Sequence, residues 1–98
     1  MSKQVWKFFI PINRSTILYA MMPADAKIVH VAYEGHATQY LSLWVEVDSK
    51  KESIERKFEA FGTGQHIPEL SEYIGTGLIH NTPDAGPIVL HVYEIFSR

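Results

Sequence analysis

YLSLWVEV, Tyr40–Val47, is the stretch that decides the fold. Leu41, Leu43, Val45 and Val47 fall on one side of an extended chain, and Tyr40, Ser42, Trp44 and Glu46 on the other. Period two sustained over such a run is the pattern of a half-buried strand. The run before it, KIVHVAYE at Lys27–Glu34, is a second strand, with β-branched Ile28, Val29 and Val31. Glu34-Gly35-His36 between them is turn material. The two runs are expected to pair as an antiparallel hairpin.

Working toward the N-terminus, TILYAMM (Thr16–Met22) is a short apolar run stopped by Pro23, and Ala24-Asp25-Ala26 reads as a turn. VWKFFIPI (Val5–Ile12) places Trp6, Phe8, Ile10 and Ile12 on one face. Pro11 cannot donate a ladder hydrogen bond, so this is an edge strand or a strand end. Asn13-Arg14-Ser15 supplies the next turn.

Toward the C-terminus, Asp48–Ser53 is an exposed polar loop. IERKFEAF (Ile54–Phe61) is ambiguous: its Glu, Lys and Arg suit a helix, its alternation a strand. It follows a strand and ends at Gly-Thr-Gly, which favours the strand. Gln65–Glu72 reads as a loop with at most one helical turn begun by Pro68. YIGTGLIH (Tyr73–His80) is strand-like, and its Gly75 and Gly77 mark a bulge or a close approach of another backbone or ligand. Asn81–Pro87 is a turn cluster, and IVLHVYEIF (Ile88–Phe96) closes the chain as a strand. About seven short strands with frequent turns predict a mainly β fold, a small antiparallel β-sandwich or barrel, formed by residues 1–98 as one domain. Phe9, Tyr33, Tyr40, Trp44 and Tyr93 are read as outward aromatics. Such patches tend to be covered by a partner, so a homo-oligomer, dimer or higher, is expected.

Composition narrows the function classes. Nine basic residues against eleven acidic ones give a net charge of −2, which does not suit a sequence-independent binder of duplex nucleic acid. Absence of Cys excludes thiol nucleophiles, thiolate metal sites and disulfides, and fits a reducing cytoplasm. The N-terminus has no signal-peptide core, and no apolar run nears the roughly 18 residues of a membrane helix. A soluble, cytoplasmic protein is therefore expected, without a membrane partner.

Recognisable catalytic motifs are missing from the sequence. No G-x-S-x-G elbow and no H-E-x-x-H occurs. His30, His36, His66, His80 and His91 lack ligand spacing and are read as strand or surface residues, although His30 and His91, both mid-strand, could face one another across a sheet. No catalytic residue, metal or cofactor is assigned, and the protein is read as a non-enzyme. What remains is a pair of Gly-Thr-Gly triplets, Gly62–Gly64 and Gly75–Gly77. Neither matches a P-loop or a dinucleotide fingerprint. Glycine lets backbone N–H groups approach an anion, and threonine adds a hydroxyl. Arg56, Lys57 and His66 are close in sequence and add positive charge, and Tyr73 can stack on a base. The candidate ligand set is therefore Arg56, Lys57, Gly62, Thr63, Gly64, His66, Tyr73, Gly75 and Thr76. The plain alternative is two turns or bulges of a β fold.

A run of short motifs carries a resemblance. V-W-K-F at Val5–Phe8, M-P-A-x-A-K-I at Met22–Ile28 and L-W-V at Leu43–Val45 are followed by F-G-T-G at Phe61–Gly64, Y-I-G-T at Tyr73–Thr76 and H-V-Y-E at His91–Glu94. Their order resembles an uncharacterised family of small proteins of phages and their bacterial hosts. Departures are the longer Asn13–Met21 segment and the loop at Ala85–Ile88. The family brings no settled activity, so no catalytic residue is transferred. By analogy with other small phage proteins, the resemblance implies a binding protein that sequesters a nucleotide-type immune signal of the host, such as a cyclic nucleotide. The alternative is a protein–protein module, a phage accessory or an inhibitor of a host protein, using Phe9, Tyr40, Trp44 and Tyr93.

Overall fold

The computed structural model describes residues 2–13, 15–35, 39–80 and 87–96. Among these residues seven strands follow one another: β1 (Lys3–Pro11), β2 (Ile17–Pro23), β3 (Lys27–Ala32), β4 (Tyr40–Asp48), β5 (Ser53–Gly62), β6 (Ser71–Ile79) and β7 (Ile88–Ile95). They form two sheets, ordered β1-β4-β3 and β2-β5-β7-β6, with every pair antiparallel. This is the small all-β sandwich read from the alternation. Of the expected turns, Arg14 in Asn13–Ser15, His36 in Glu34–His36 and residues 81–86 of Asn81–Pro87 lie outside the described residues.

The alternating row of β4 is the centre of the core. Leu41, Leu43 and Val45 are fully buried and Val47 nearly so. They meet Ile10 of β1, Met22 of β2, Phe58 of β5 and Val92 of β7, all fully buried. Ile54–Phe61 resolves as strand: Phe58 and Ala60 point into the core, which a helix of this composition would not require. The β3–β4 hairpin forms as expected, with a bulge between Ile28 and His30. The extra residue, Val29, is left exposed, and both Ile28 and Val31 then face inward. That shift carries Tyr33 inward too. It packs against the core, which corrects its reading as an outward aromatic. Phe9 and Tyr40 do face outward, ring edge to face at 5.9 Å.

Every sheet edge carries a device that disfavours further strand pairing. The edge strands are β1, β3, β2 and β6. Pro11 and Pro23 end β1 and β2, Lys3 and Lys7 line β1, and β3 and β6 are each bulged. Such features blunt a sheet edge against joining another chain.

Gly75 and Gly77 lie inside β6, not in a turn, with a bulge between Tyr73 and Gly75. A Cβ on Gly75 would stand 2.8 Å from Val31 Cγ2, and one on Gly77 2.5 Å from Leu41 Cδ2. The close approach that the glycines signal is thus made by core side chains of the opposite sheet.

Surface carboxylates, Asp48 half-buried and Glu34 and Asp25 exposed, brace the sandwich. Asp48 accepts hydrogen bonds from the backbone N–H of Lys50 and Ser2, and these hold its carboxyl below the usual value. Lys7 and the Ser42 hydroxyl do the same for Glu34, and Lys51 for Asp25. A carboxylate whose folded value is depressed contributes stability that is present above its unfolded value and lost as pH falls through the folded one. Urea midpoints should therefore hold steady at neutral pH and drop below about pH 4, the ordinary carboxylate range. Asp48→Asn should flatten that drop in denaturant titrations at a series of pH values. An unchanged acid limb in this variant would remove Asp48 from the account.

Candidate functional site on the outer face of the larger sheet

Pairing register decides which side chains share the outer face of the β2-β5-β7-β6 sheet. Phe61 of β5, His91 of β7 and Thr76 of β6 form one row across it. Glu59, Tyr93 and Tyr73 form the next, and Lys57, Ile95 and Ser71 the one after. On β7 the inward residues Val92 and Glu94 are buried, so His91 and Tyr93 point out between them.

His91 is held at both ring nitrogens. Its Nε2 lies 3.0 Å from Thr63 Oγ1, and its Nδ1 lies 3.2 Å from Thr76 Oγ1. The Tyr73 hydroxyl continues the chain, 2.5 Å from Thr76 Oγ1. Tyr93 meets Tyr73 edge to face at 5.5 Å and Phe61 at 6.0 Å. The middle residues of the two Gly-Thr-Gly triplets therefore converge on one imidazole, beside an exposed tyrosine.

Each triplet presents its threonine for a different reason. In the first, β5 ends at Gly62 and the chain turns, with the Gln65 N–H donating to the Gly62 carbonyl at 3.1 Å. Gly64 adopts φ 94°, which glycine reaches without the steric penalty of a Cβ. The Gly62 N–H is already taken by the Gln65 side chain. In the second, Gly75 and Gly77 turn their bare faces to the core, so Thr76 between them faces out. At both places the outward-facing polar group is the threonine hydroxyl.

Of the residues read from sequence, Thr63, Thr76 and Tyr73 come together here, with Gly62 and Gly64 shaping the turn and Gly75 clearing the core. His66 is exposed in the loop after the turn. Lys57 shares the face but lies four residues along β5 from Phe61, about 13 Å at the rise of a strand, with its ammonium over the Tyr19 ring. Arg56 belongs to the other side of the sheet. Its Nε and Nη2 donate to the two oxygens of Glu94, each at 2.7 Å. Nη1 donates to the carbonyls of Ala26 and Pro23 at 2.8 and 3.1 Å. Two recesses of about 420 and 430 Å³ flank this pair, sharing Glu72 with it, and neither is lined by His91.

Sequence reasoning left His91 and Tyr93 out of the candidate set. The signal for them was their odd-numbered place on β7, His91 opposite Phe61 and Thr76 and Tyr93 opposite Glu59 and Tyr73, which only the register supplies. His30 and His91 do not face one another: His30 is on β3 of the smaller sheet, its ring 5.4 Å from Trp44. Among the described residues no group of three metal-ligating side chains gathers, and no helix is long and apolar enough to cross a membrane.

Fold and site together define a small antiparallel β-sandwich protein with a Thr-His-Thr-Tyr hydrogen-bond chain on one outer sheet face. The chain belongs to the family described as a domain of unknown function, DUF7352, whose model matches residues 1–97. No curated protein and no solved structure matches it.

Proposed function

We propose that this is a non-enzymatic binding protein of phage type that captures a small ligand at the His91 face, the ligand combining an anionic group with a flat ring. A cyclic nucleotide or related immune signal of the host has that chemistry. The observation that carries the reading is the convergence of Thr63 and Thr76 on His91. It supplies threonine hydroxyl donors for an anion around the imidazole, and the half-exposed Tyr73 beside them offers a ring for stacking. Neither Arg56, saturated by Glu94 and backbone carbonyls, nor the glycine amides are needed in this version of the site.

Calorimetry against a panel of cyclic nucleotides tests it. At least one member should bind, and Thr63→Val should weaken that binding about tenfold, the worth of one hydrogen bond to a charged group. Absence of heat with every member at high protein concentration would overturn the reading. A second reading, association of two copies through the smaller sheet, is favoured by Phe9 and Tyr40, each about half exposed and in mutual contact on that face. Sedimentation equilibrium on the same samples decides it, and a monomer at all concentrations removes it.

A further inference from the structure

We infer that an anion binding at this face is taken up together with a proton on His91, an inference that rests on the reading of the face as an anion site. A neutral imidazole donates from one nitrogen and accepts at the other. With a threonine hydroxyl at each nitrogen, one threonine must then turn its O–H inward to the ring. A proton from solvent, added to the lone pair of the accepting nitrogen, makes both nitrogens donors. Both threonine oxygens now accept from the ring, and both O–H bonds turn away from it. That of Thr63 points into the exposed turn. That of Thr76 goes to the Tyr73 oxygen, and the Tyr73 O–H is released to solvent. The two ends of the chain become outward donors with a positive ring between them. Charge-assisted donors of this kind hold an oxyanion best.

The surrounding groups modulate this coupling without replacing it. Glu59 of β5 and Tyr93 of β7 lie in the row beside His91, and Tyr73 of β6 completes that row. Lys57 lies one row further on. Glu59 favours the charged ring and opposes the anion, and Lys57 does the reverse at longer range. His66 and Glu69 are the titratable groups of the loop after the turn, and both are exposed. None of these groups hydrogen-bonds either ring nitrogen, both of which are occupied by threonine.

Sulfate is the suitable probe, because its charge does not change over the range where an imidazole titrates. Followed by NMR shifts of Thr63, Thr76 and His91 at matched ionic strength, sulfate should bind at least about tenfold more tightly near pH 5.5 than near pH 8. His91→Gln should remove the pH dependence, and Thr63→Val with Thr76→Val should weaken binding at the lower pH. Equal affinity at both pH values, no binding at either, or an unchanged pH dependence in His91→Gln would overturn the inference. The two ideas fail separately. A cyclic nucleotide that binds equally at both pH values sinks the proton coupling and keeps the ligand reading. Sulfate bound in the proton-linked manner, with no cyclic nucleotide bound, sinks the ligand reading and keeps the coupling.

Discussion

Arg56→Ala should lower the stability of the protein by about 3–5 kcal/mol, the cost of breaking a buried ion pair by removing one partner. The side chains of Arg56 and Glu94 are 11% and 8% exposed, and the guanidinium makes two parallel bonds to the carboxylate. Its remaining donors satisfy the carbonyls of Pro23 and Ala26, so one side chain ties β5, β7 and the β2–β3 turn together. Alanine would strand the Glu94 carboxylate in the sandwich, directly opposite Glu72 on the neighbouring strand. Like charges so placed repel. A domain of this kind has about 5–15 kcal/mol in total, so a large share of the margin is at stake. Arg56→Lys should recover only part of the loss, because an ammonium cannot make the forked contact. Arg56→Met combined with Glu94→Leu should recover more, because no charge is then left buried alone. Urea unfolding followed by circular dichroism measures all three. A midpoint for Arg56→Ala that implies a loss under about 0.5 kcal/mol would show the pair to be ornamental.

Much of the fold was legible in local pattern, and the part that was not depended on which distant strands meet. The row Leu41, Leu43, Val45, Val47 announced β4, and Pro11 announced an edge strand, because each needs only its own residues. Ile54–Phe61 was harder. Its charges suit a helix until Arg56 is known to face inward, and that is sensible only with Glu94, 38 residues later, across from it. Tyr33 was placed on the wrong face because one extra residue at Val29 reverses everything after it, and no residue type there advertises a bulge. The site divides in the same way. Thr63, Thr76 and Tyr73 could be picked out for their hydroxyls and their glycine neighbours. His91 could not, because its role comes from the register of β7 between β5 and β6, and from a bulge at Ile74 that brings Tyr73 back beside Thr76. Arg56 and Lys57 are adjacent in sequence and read as one basic patch, yet alternation sends them to opposite sides of the sheet.

Gly77→Val should cost about 3 kcal/mol or more, at or beyond the upper end of what added carbons cost in a packed core. The first of those carbons would already stand 2.5 Å from Leu41 Cδ2 and 3.3 Å from Cδ1. Leu41 is fully buried between the sheets, where close packing leaves a side chain little room to retreat. One effect opposes the clash: replacing glycine restricts the unfolded chain and stabilises by about 0.4–1 kcal/mol. That is too small to win against a contact this short. Leu41→Ala alone should cost about 2–5 kcal/mol through the cavity it leaves. Combined with it, Gly77→Val grows into that cavity, so the double variant should be more stable than the sum of the two losses by at least about 1 kcal/mol. The contrast with Gly64 is the deciding one. A Cβ there meets nothing within 4 Å, and its φ of 94° is the whole obstacle, so Gly64→Ala should cost only about 1 kcal/mol. Were Gly77 retained to let a ligand reach the backbone, valine would leave unfolding unaltered and abolish binding, and the cycle with Leu41 would show no coupling. Strong coupling to Leu41 instead places the second triplet's glycines in the service of the core, and leaves Thr76 as the residue that its bare neighbours free to face outward.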